Sequence, residues 1–261
     1  MKRFSLLLLL ICLLTVSTAC ENSTSESTQA STGTNYNVEV FDGKYVTITC
    51  VEIRNDGVVF SVLSKLDNNP ISVVINDVSL DGQTPAILGS GSNWVDVEPG
   101  KTATAIYESE IPNTDHKNMS ILGTVFNNQG SGVEDIEVAN LDIGGTEHID
   151  FNEPNGDTMF KNTEFQIDYV GATDRGLVFR CHNYEDYRIQ ASISKQVEIN
   201  NEAIDLQAVS ICNVAPNSAK DYVINIIDSY PDFSPDKIKQ FKIIAAYRSA
   251  YYEQDPFTME K

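Results

Sequence analysis

Apolar and polar residues alternate along much of this chain. Residues 164–169 and 188–194 alternate strictly, which is typical of strands with one face on a core. Other segments are rich in Val, Ile, Thr and Tyr, the residues that β-strands favour. These segments are residues 45–53, 58–63, 71–78, 102–107 and 121–126. Helical periodicity is nearly absent, so the pattern predicts an all-β protein.

Three blocks of sequence recur in the same order and at nearly the same separation, which indicates two copies of one domain. The paired blocks are residues 56–60 with 175–179, 78–82 with 197–201, and 97–101 with 214–218. Each copy holds about seven predicted short strands separated by turn residues, the pattern of an immunoglobulin-like β-sandwich. We therefore predict tandem sandwiches at residues 36–153 and 158–261, with the boundary near residues 153–157.

The order of turns in the first copy resembles a known type of domain. A strand, Asn55-Asp56-Gly57, a strand, Asn69-Pro70-Ile71 and a later Val97-Glu98-Pro99-Gly100-Lys101 follow one another. This order is similar to the uncharacterised immunoglobulin-like domains of Gram-positive lipoproteins. The resemblance covers both halves and is best kept from Asn55 to Lys101. It implies a sandwich on a lipid tether, and it brings no catalytic residues.

One segment near the C-terminus carries a mixed signal. Ser234 followed by Pro235 is a good helix start, yet the matching stretch of the first copy reads as a strand. We predict one helical turn and then a strand over residues 241–248.

The N-terminus has the features of a secretory signal peptide. Lys2 and Arg3 precede an apolar run over residues 4–16, which is too short to span a membrane. Ser17-Thr18-Ala19-Cys20 resembles the lipobox of bacterial lipoproteins, which implies a lipid on the Cys20 thiol. Ser17 departs from the aliphatic residue that this motif prefers, so ordinary cleavage and secretion remain the alternative. We predict a signal peptide over residues 1–19 and anchoring at the outer face of the cell membrane.

A polar segment and a strong negative charge follow. Residues 20–35 are mostly Ser, Thr and other polar residues, which predicts a disordered tether. The formal net charge of the chain is −19. This charge argues against nucleic acid and anionic lipid surfaces as partners.

Three cysteines remain beyond Cys20. These are Cys50, Cys181 and Cys212, of which Cys50 and Cys181 lie in apolar strand-like runs. We predict buried, unpaired thiols, with a Cys181–Cys212 disulfide as the alternative, since export permits disulfides. No CxxC pair or zinc-ligand spacing is present.

Catalytic motifs are missing from the sequence. His116, His148 and His182 have no partner at a metal-ligand spacing, and we predict that they are solvated. Residues 77–82 resemble the start of a calcium loop, but Leu88 occupies the position that requires a carboxylate. The acidic loop over residues 228–236 is interpreted as a connection. We therefore predict no cofactor, no metal site and no catalytic residue.

Tyrosine is concentrated in the second half of the chain. Tyr184 and Tyr187 lie in a predicted loop beside carboxylates, where exposed rings could contact a sugar or a protein. Core packing of these rings is the other interpretation. The leading hypothesis is a non-enzymatic surface module that contacts a cell-envelope protein or glycan. The alternative is an enzyme, or an enzyme accessory, with a site between the two domains.

Overall fold

The alternating segments form antiparallel strands. The structure is a computed structural model that describes residues 33–85, 93–146, 156–207, 209–249, 253 and 255–261. These residues contain seventeen strands and one 3-10 turn. The signal peptide, Cys20 and His148 lie outside the described residues, as does most of the predicted tether.

The first copy is a sandwich of two four-stranded sheets, ordered β1-β2-β3-β6 and β5-β4-β7-β8. Side chains such as Ile48, Phe60, Val73 and Ile121 alternate inward and fill a fully buried core between the sheets. Its strands are β1 Gly33–Asp42, β2 Val46–Arg54, β3 Gly57–Ser64, β4 Ile71–Leu80, β5 Trp94–Val97, β6 Thr102–Glu108, β7 Asn118–Asn127 and β8 Gly132–Asp142.

The second copy repeats this topology around a core of its own. Its sheets run β9-β10-β11-β15 and β13-β12-β16-β17, and β14 pairs with the first half of β12. Phe165, Phe179 and Ile243 lie in that second core. Its strands are β9 Asp157–Lys161, β10 Phe165–Ala172, β11 Gly176–Asn183, β12 Ile189–Ile199, β13 Glu202–Asp205, β14 Ser210–Val214, β15 Ser218–Asn225, β16 Phe241–Arg248 and β17 Phe257–Glu260.

The chain is therefore an all-β protein with two immunoglobulin-like sandwiches, as the alternation predicted. The prediction of about seven strands per copy is too low, because the described residues contain eight and nine. Short edge strands such as Glu202–Asp205 account for the difference, since so few residues show no clear alternation. β1 begins at Gly33, inside the range predicted as tether.

The mixed segment near the C-terminus folds as predicted. Pro235–Lys237 is a single 3-10 turn, and β16 follows at Phe241–Arg248. β16 pairs with β12 through the centre of its sheet, so its apolar alternation outweighs the local helix signal.

The three described cysteines are buried free thiols, which confirms the leading prediction over a disulfide. Cys181 of β11 and Cys212 of β14 face the same core, where their side chains are hydrogen-bonded to each other. Burial raises the pKa of the Cys50 thiol to about 12. The neutral thiols behave as small apolar side chains.

We expect these thiols to resist modification in the folded protein. At pH 8, a thiol-specific aromatic disulfide reagent should leave Cys50, Cys181 and Cys212 unmodified, and urea should expose all three. The pKa of the Cys50 thiol is 9.0 in the unfolded chain and about 12 in the folded protein. Its contribution to stability is therefore complete below pH 9 and is lost as the pH rises through this window. Labelling of the folded protein at the rate of a free thiol would contradict the buried placement.

A hairpin of the first copy joins the two sandwiches. After β4, Asp81 and Gly82 adopt positive φ angles of 49° and 79°, which closes a tight turn. Gln83 then pairs in parallel with Ala219, at the start of β15. The Ala219 N–H donates to the Gly82 carbonyl at 2.7 Å, and the Thr84 N–H donates to the Ala219 carbonyl at 2.9 Å. Residues from Thr32 to Lys261 thus form one compact unit.

An ion pair crosses the same joint. The Lys220 ammonium of β15 lies 3.1 Å from Oδ2 of Asp77 in β4, whose side chain is 1% exposed. Burial raises the pKa of Asp77, while Lys220 acts in the opposite direction. Burial alone would lower the pKa of Lys220, but the opposing effects of its neighbours, Asp77 first among them, leave the pKa of Lys220 raised. Each charge therefore depends on the other for compensation.

We expect the two charges of this pair to be coupled. Lys220→Met should lower the free energy of unfolding by about 3 kcal/mol, because it leaves a buried carboxylate without a counter-charge. Adding Asp77→Asn should restore part of that loss. Urea denaturation of both single variants and the double variant measures the coupling. Strictly additive losses would show that the two side chains act independently.

Candidate functional site

The two described histidines are both buried against an aspartate. In the first copy, Nδ1 of His116 lies 2.8 Å from Oδ2 of Asp81, in the turn of the joining hairpin. The other oxygen of Asp81 accepts the backbone N–H groups of Lys117 and Asn118, at 3.0 and 2.8 Å. The Asp81 carboxylate thereby fixes the segment that leads into β7.

The second ring nitrogen of His116 is also occupied. Nε2 lies 2.7 Å from the Asn113 carbonyl oxygen. Both ring nitrogens of His116 therefore lie against protein oxygens, one of a carboxylate and one of a carbonyl. The His116 backbone N–H donates to the Tyr36 hydroxyl at 2.6 Å, which itself donates to the Thr114 carbonyl. His116 therefore has a structural role, because its hydrogen bonds hold together the segments beside the joint.

A small cavity lies next to the His116 side chain. Its volume is about 150 Å³, and its lining includes Leu80, Thr84, Glu110, Ile111 and His116. The Glu110 side chain is exposed, whereas both nitrogens of His116 point to protein acceptors. This geometry gives His116 no free nitrogen with which to accept a proton from a molecule in the cavity.

The second copy contains a comparable buried cluster. Nε2 of His182 lies 3.0 Å from Oδ2 of Asp168, and both side chains are fully buried. The Gln166 amide donates to both oxygens of Asp168 at 2.8 and 2.9 Å, and the Thr158 hydroxyl donates to Oδ1 at 2.8 Å. The Tyr184 hydroxyl then donates to Oε1 of Gln166 at 2.9 Å. Because these polar side chains are hydrogen-bonded to one another, the network stabilises the sheet that carries it.

The predicted solvation of His116 and His182 is therefore wrong. Their side chains are 6% and 0% exposed. His116 pairs with a carboxylate that is distant in the sequence, and His182 pairs with one on the neighbouring strand. The residues next to each histidine in the sequence therefore give no sign of the pairing.

The two tyrosines of the predicted binding loop are half-buried. The Tyr184 ring stacks on His182 with centroids 6.1 Å apart, and burial and Asp168 raise the pKa of Tyr184. Tyr187 packs against the second core and is hydrogen-bonded to Ser249. Part of each ring remains accessible. A binding role for Tyr184 and Tyr187 stays a prediction.

The acidic segments have internal partners. In the calcium-like segment, Asp77 pairs with Lys220 and Asp81 with His116. In the loop over residues 228–236, Asp228 accepts a hydrogen bond from the Asn225 amide. Across the described ranges, no group of three or more His, Cys, Asp or Glu side chains is placed to hold a metal ion. Within the same ranges, no helix is long and apolar enough to cross a membrane.

Known proteins that are similar to this chain are found among solved structures. No family model and no curated protein matches this chain. Among solved structures, it is similar to a chain of the CsuC–CsuE chaperone–tip adhesion subunit pre-assembly complex from archaic chaperone-usher Csu pili of Acinetobacter baumannii. The two chains are 12% identical, and the alignment covers 78% of this chain and 90% of the other, with a TM-score of 0.25.

We expect Asp81 to be a stability determinant. Asp81→Ala should lower the free energy of unfolding by about 3 kcal/mol, because buried donors lose their acceptor. Asp186→Ala, at an exposed position, is the matched control and should change it by less than about 0.5 kcal/mol. Urea denaturation followed by circular dichroism measures both. Equal stability of the two variants would exclude the structural role of Asp81.

Proposed function

We propose that this chain is an exported bacterial lipoprotein, anchored through Cys20 at the outer face of the cell membrane. Its two sandwiches serve as a non-enzymatic binding or structural module, with a cell-envelope protein or glycan as the partner. Residues 20–35 give the module reach above the membrane, since such polar segments behave as flexible spacers.

The observation that carries this proposal is that the buried histidines and the charged groups at the joint already have partners inside the protein. His116 and His182, the described histidines, are each bound to a carboxylate inside the protein. The described joint between the sandwiches is occupied by the hairpin at Gly82 and by the Asp77–Lys220 pair. Exposed sheet faces and loops thus offer the surface for contacts, which supports a binding module over an enzyme.

The anchor is supported by the sequence around the cleavage site. A basic start, an apolar run and small residues precede Cys20, and a polar spacer follows it. Two acyl chains on one cysteine are sufficient for stable membrane attachment, whereas a single chain is marginal. The resemblance to Gram-positive lipoproteins is part of the same proposal.

Metabolic labelling with a palmitate analogue tests the anchor. Wild-type protein expressed in a Gram-positive host should incorporate label and sediment with membranes. Cys20→Ala should lose both properties, whereas Cys12→Ala, within the predicted signal peptide, should keep them. Equal label in wild type and Cys20→Ala would exclude lipidation. Unlabelled, fully processed protein in the medium would support ordinary secretion instead.

A further inference from the structure

An exposed aromatic platform lies on the outer face of the first sandwich. Trp94 is the single tryptophan of the chain and begins the edge strand β5, where its side chain is 47% exposed. Val95 and Val97 alternate inward, so Trp94 projects outward. Its ring stacks on Phe126 of β7, with centroids 5.3 Å apart and an angle of 23° between the planes. Phe126 therefore supports one face of the indole, and the exposed part of Trp94 offers a flat apolar surface.

A carboxylate is fixed beside this platform. The Trp94 indole N–H donates to Oδ1 of Asp96 at 2.9 Å, and the Ser72 hydroxyl donates to the same oxygen at 2.6 Å. These two hydrogen bonds, from Ser72 and then Trp94, lower the pKa of Asp96, so the group is ionised. Within the described part of the chain, Oδ2 of Asp96 accepts no hydrogen bond, and the side chain is exposed. The site thus combines a flat apolar surface with an oriented acceptor.

This combination matches the chemistry of a sugar ring. A hexopyranose with equatorial substituents presents axial C–H groups that stack on an aromatic face, while its hydroxyls donate to a carboxylate. The exposed Asp135 of β8 lies on the same face, paired with Thr124 of β7. Together with the net charge of −19, these carboxylates repel phosphorylated or acidic glycans.

We propose that Trp94, Phe126 and Asp96 form a binding site for a neutral glycan of equatorially substituted hexopyranoses. This inference rests on the proposed function and names the class of partner. The indole stacks on the ring of one sugar residue, and Oδ2 of Asp96 accepts one of its hydroxyls. Ser72 keeps the carboxylate in place.

The second copy provides an internal comparison. Ser72 of β4 pairs with Asp96 and Phe126, and Gln190 of β12 pairs in the same way with residues of β14 and β16. The residues that replace Trp94, Asp96, Ser72 and Phe126 there are Ile211, Asn213, Gln190 and Arg248.

In that copy the polar groups satisfy one another. The Gln190 amide donates to Oδ1 of Asn213 at 2.8 Å, and Nε of Arg248 donates to Oε1 of Gln190 at 2.7 Å. Ile211 is 52% exposed but has no aromatic ring. The fold therefore does not impose the platform, which belongs to the side chains of the first copy.

The single tryptophan makes the site directly observable. We expect titration of the purified chain with chitotetraose, a neutral β-linked oligosaccharide, to shift the Trp94 emission saturably. Isothermal titration should show a loss of binding in Trp94→Ala and a weakening of about tenfold in Asp96→Asn, the loss of one charged hydrogen bond. Trp94→Phe should keep weakened binding, because a ring remains. Ile211→Ala, at the equivalent position of the second copy, should bind like wild type.

Three outcomes would overturn the proposal. These are the absence of a saturable response to chitotetraose or cellotetraose in folded wild type, unchanged affinity in Trp94→Ala, and saturation by a lysine-rich peptide alone. The last outcome would assign the platform to a cation held over an aromatic face. Circular dichroism of each variant confirms folding. Loss of the palmitate label from Cys20 is scored separately, so failure of the anchor and failure of the glycan site are distinguishable.

Discussion

The carboxylate of Asp81 connects three parts of the molecule. It accepts the N–H groups that lead into β7 and binds the His116 ring, while the backbone of Asp81 forms part of the turn after β4. The same turn presents the Gly82 carbonyl to Ala219 of the second sandwich. Because a buried carboxylate is stable only when its oxygens are satisfied, the turn after β4 and the His116 segment depend on each other, and that turn carries the joint.

The features that could be predicted from the sequence are those that depend on local periodicity. Alternating residues gave β10 and β12, and recurring blocks gave the two sandwiches and the matching turns at residues 78–82 and 197–201. Short edge strands such as β13 were missed, because four residues hardly define a period. The burial of His116 was missed for another reason. Its partner Asp81 is distant in the chain, and only the folded topology brings the two side chains together.

The two candidate binding surfaces differ in whether their residues are adjacent in the sequence. The Tyr184–Tyr187 loop drew attention because its aromatic and acidic residues are adjacent in sequence. Trp94 and Phe126 lie on strands separated by β4, so their stacking is visible only in the sheet. Equivalent positions of the second copy hold Ile211 and Arg248. Two sandwiches with one backbone plan thus expose different chemistry to their surroundings.

The contact between the two sandwiches is asymmetric. The hairpin of the first copy meets the beginning of β15, whereas the matching hairpin of the second copy, Asn200–Asn201, is exposed. Thr102, which begins the matching strand β6, is exposed as well. Such a head-to-tail contact has no two-fold symmetry, so repetition adds units in a row and cannot close a pair. The contact that joins the two sandwiches could therefore be repeated end to end by further copies of the same domain.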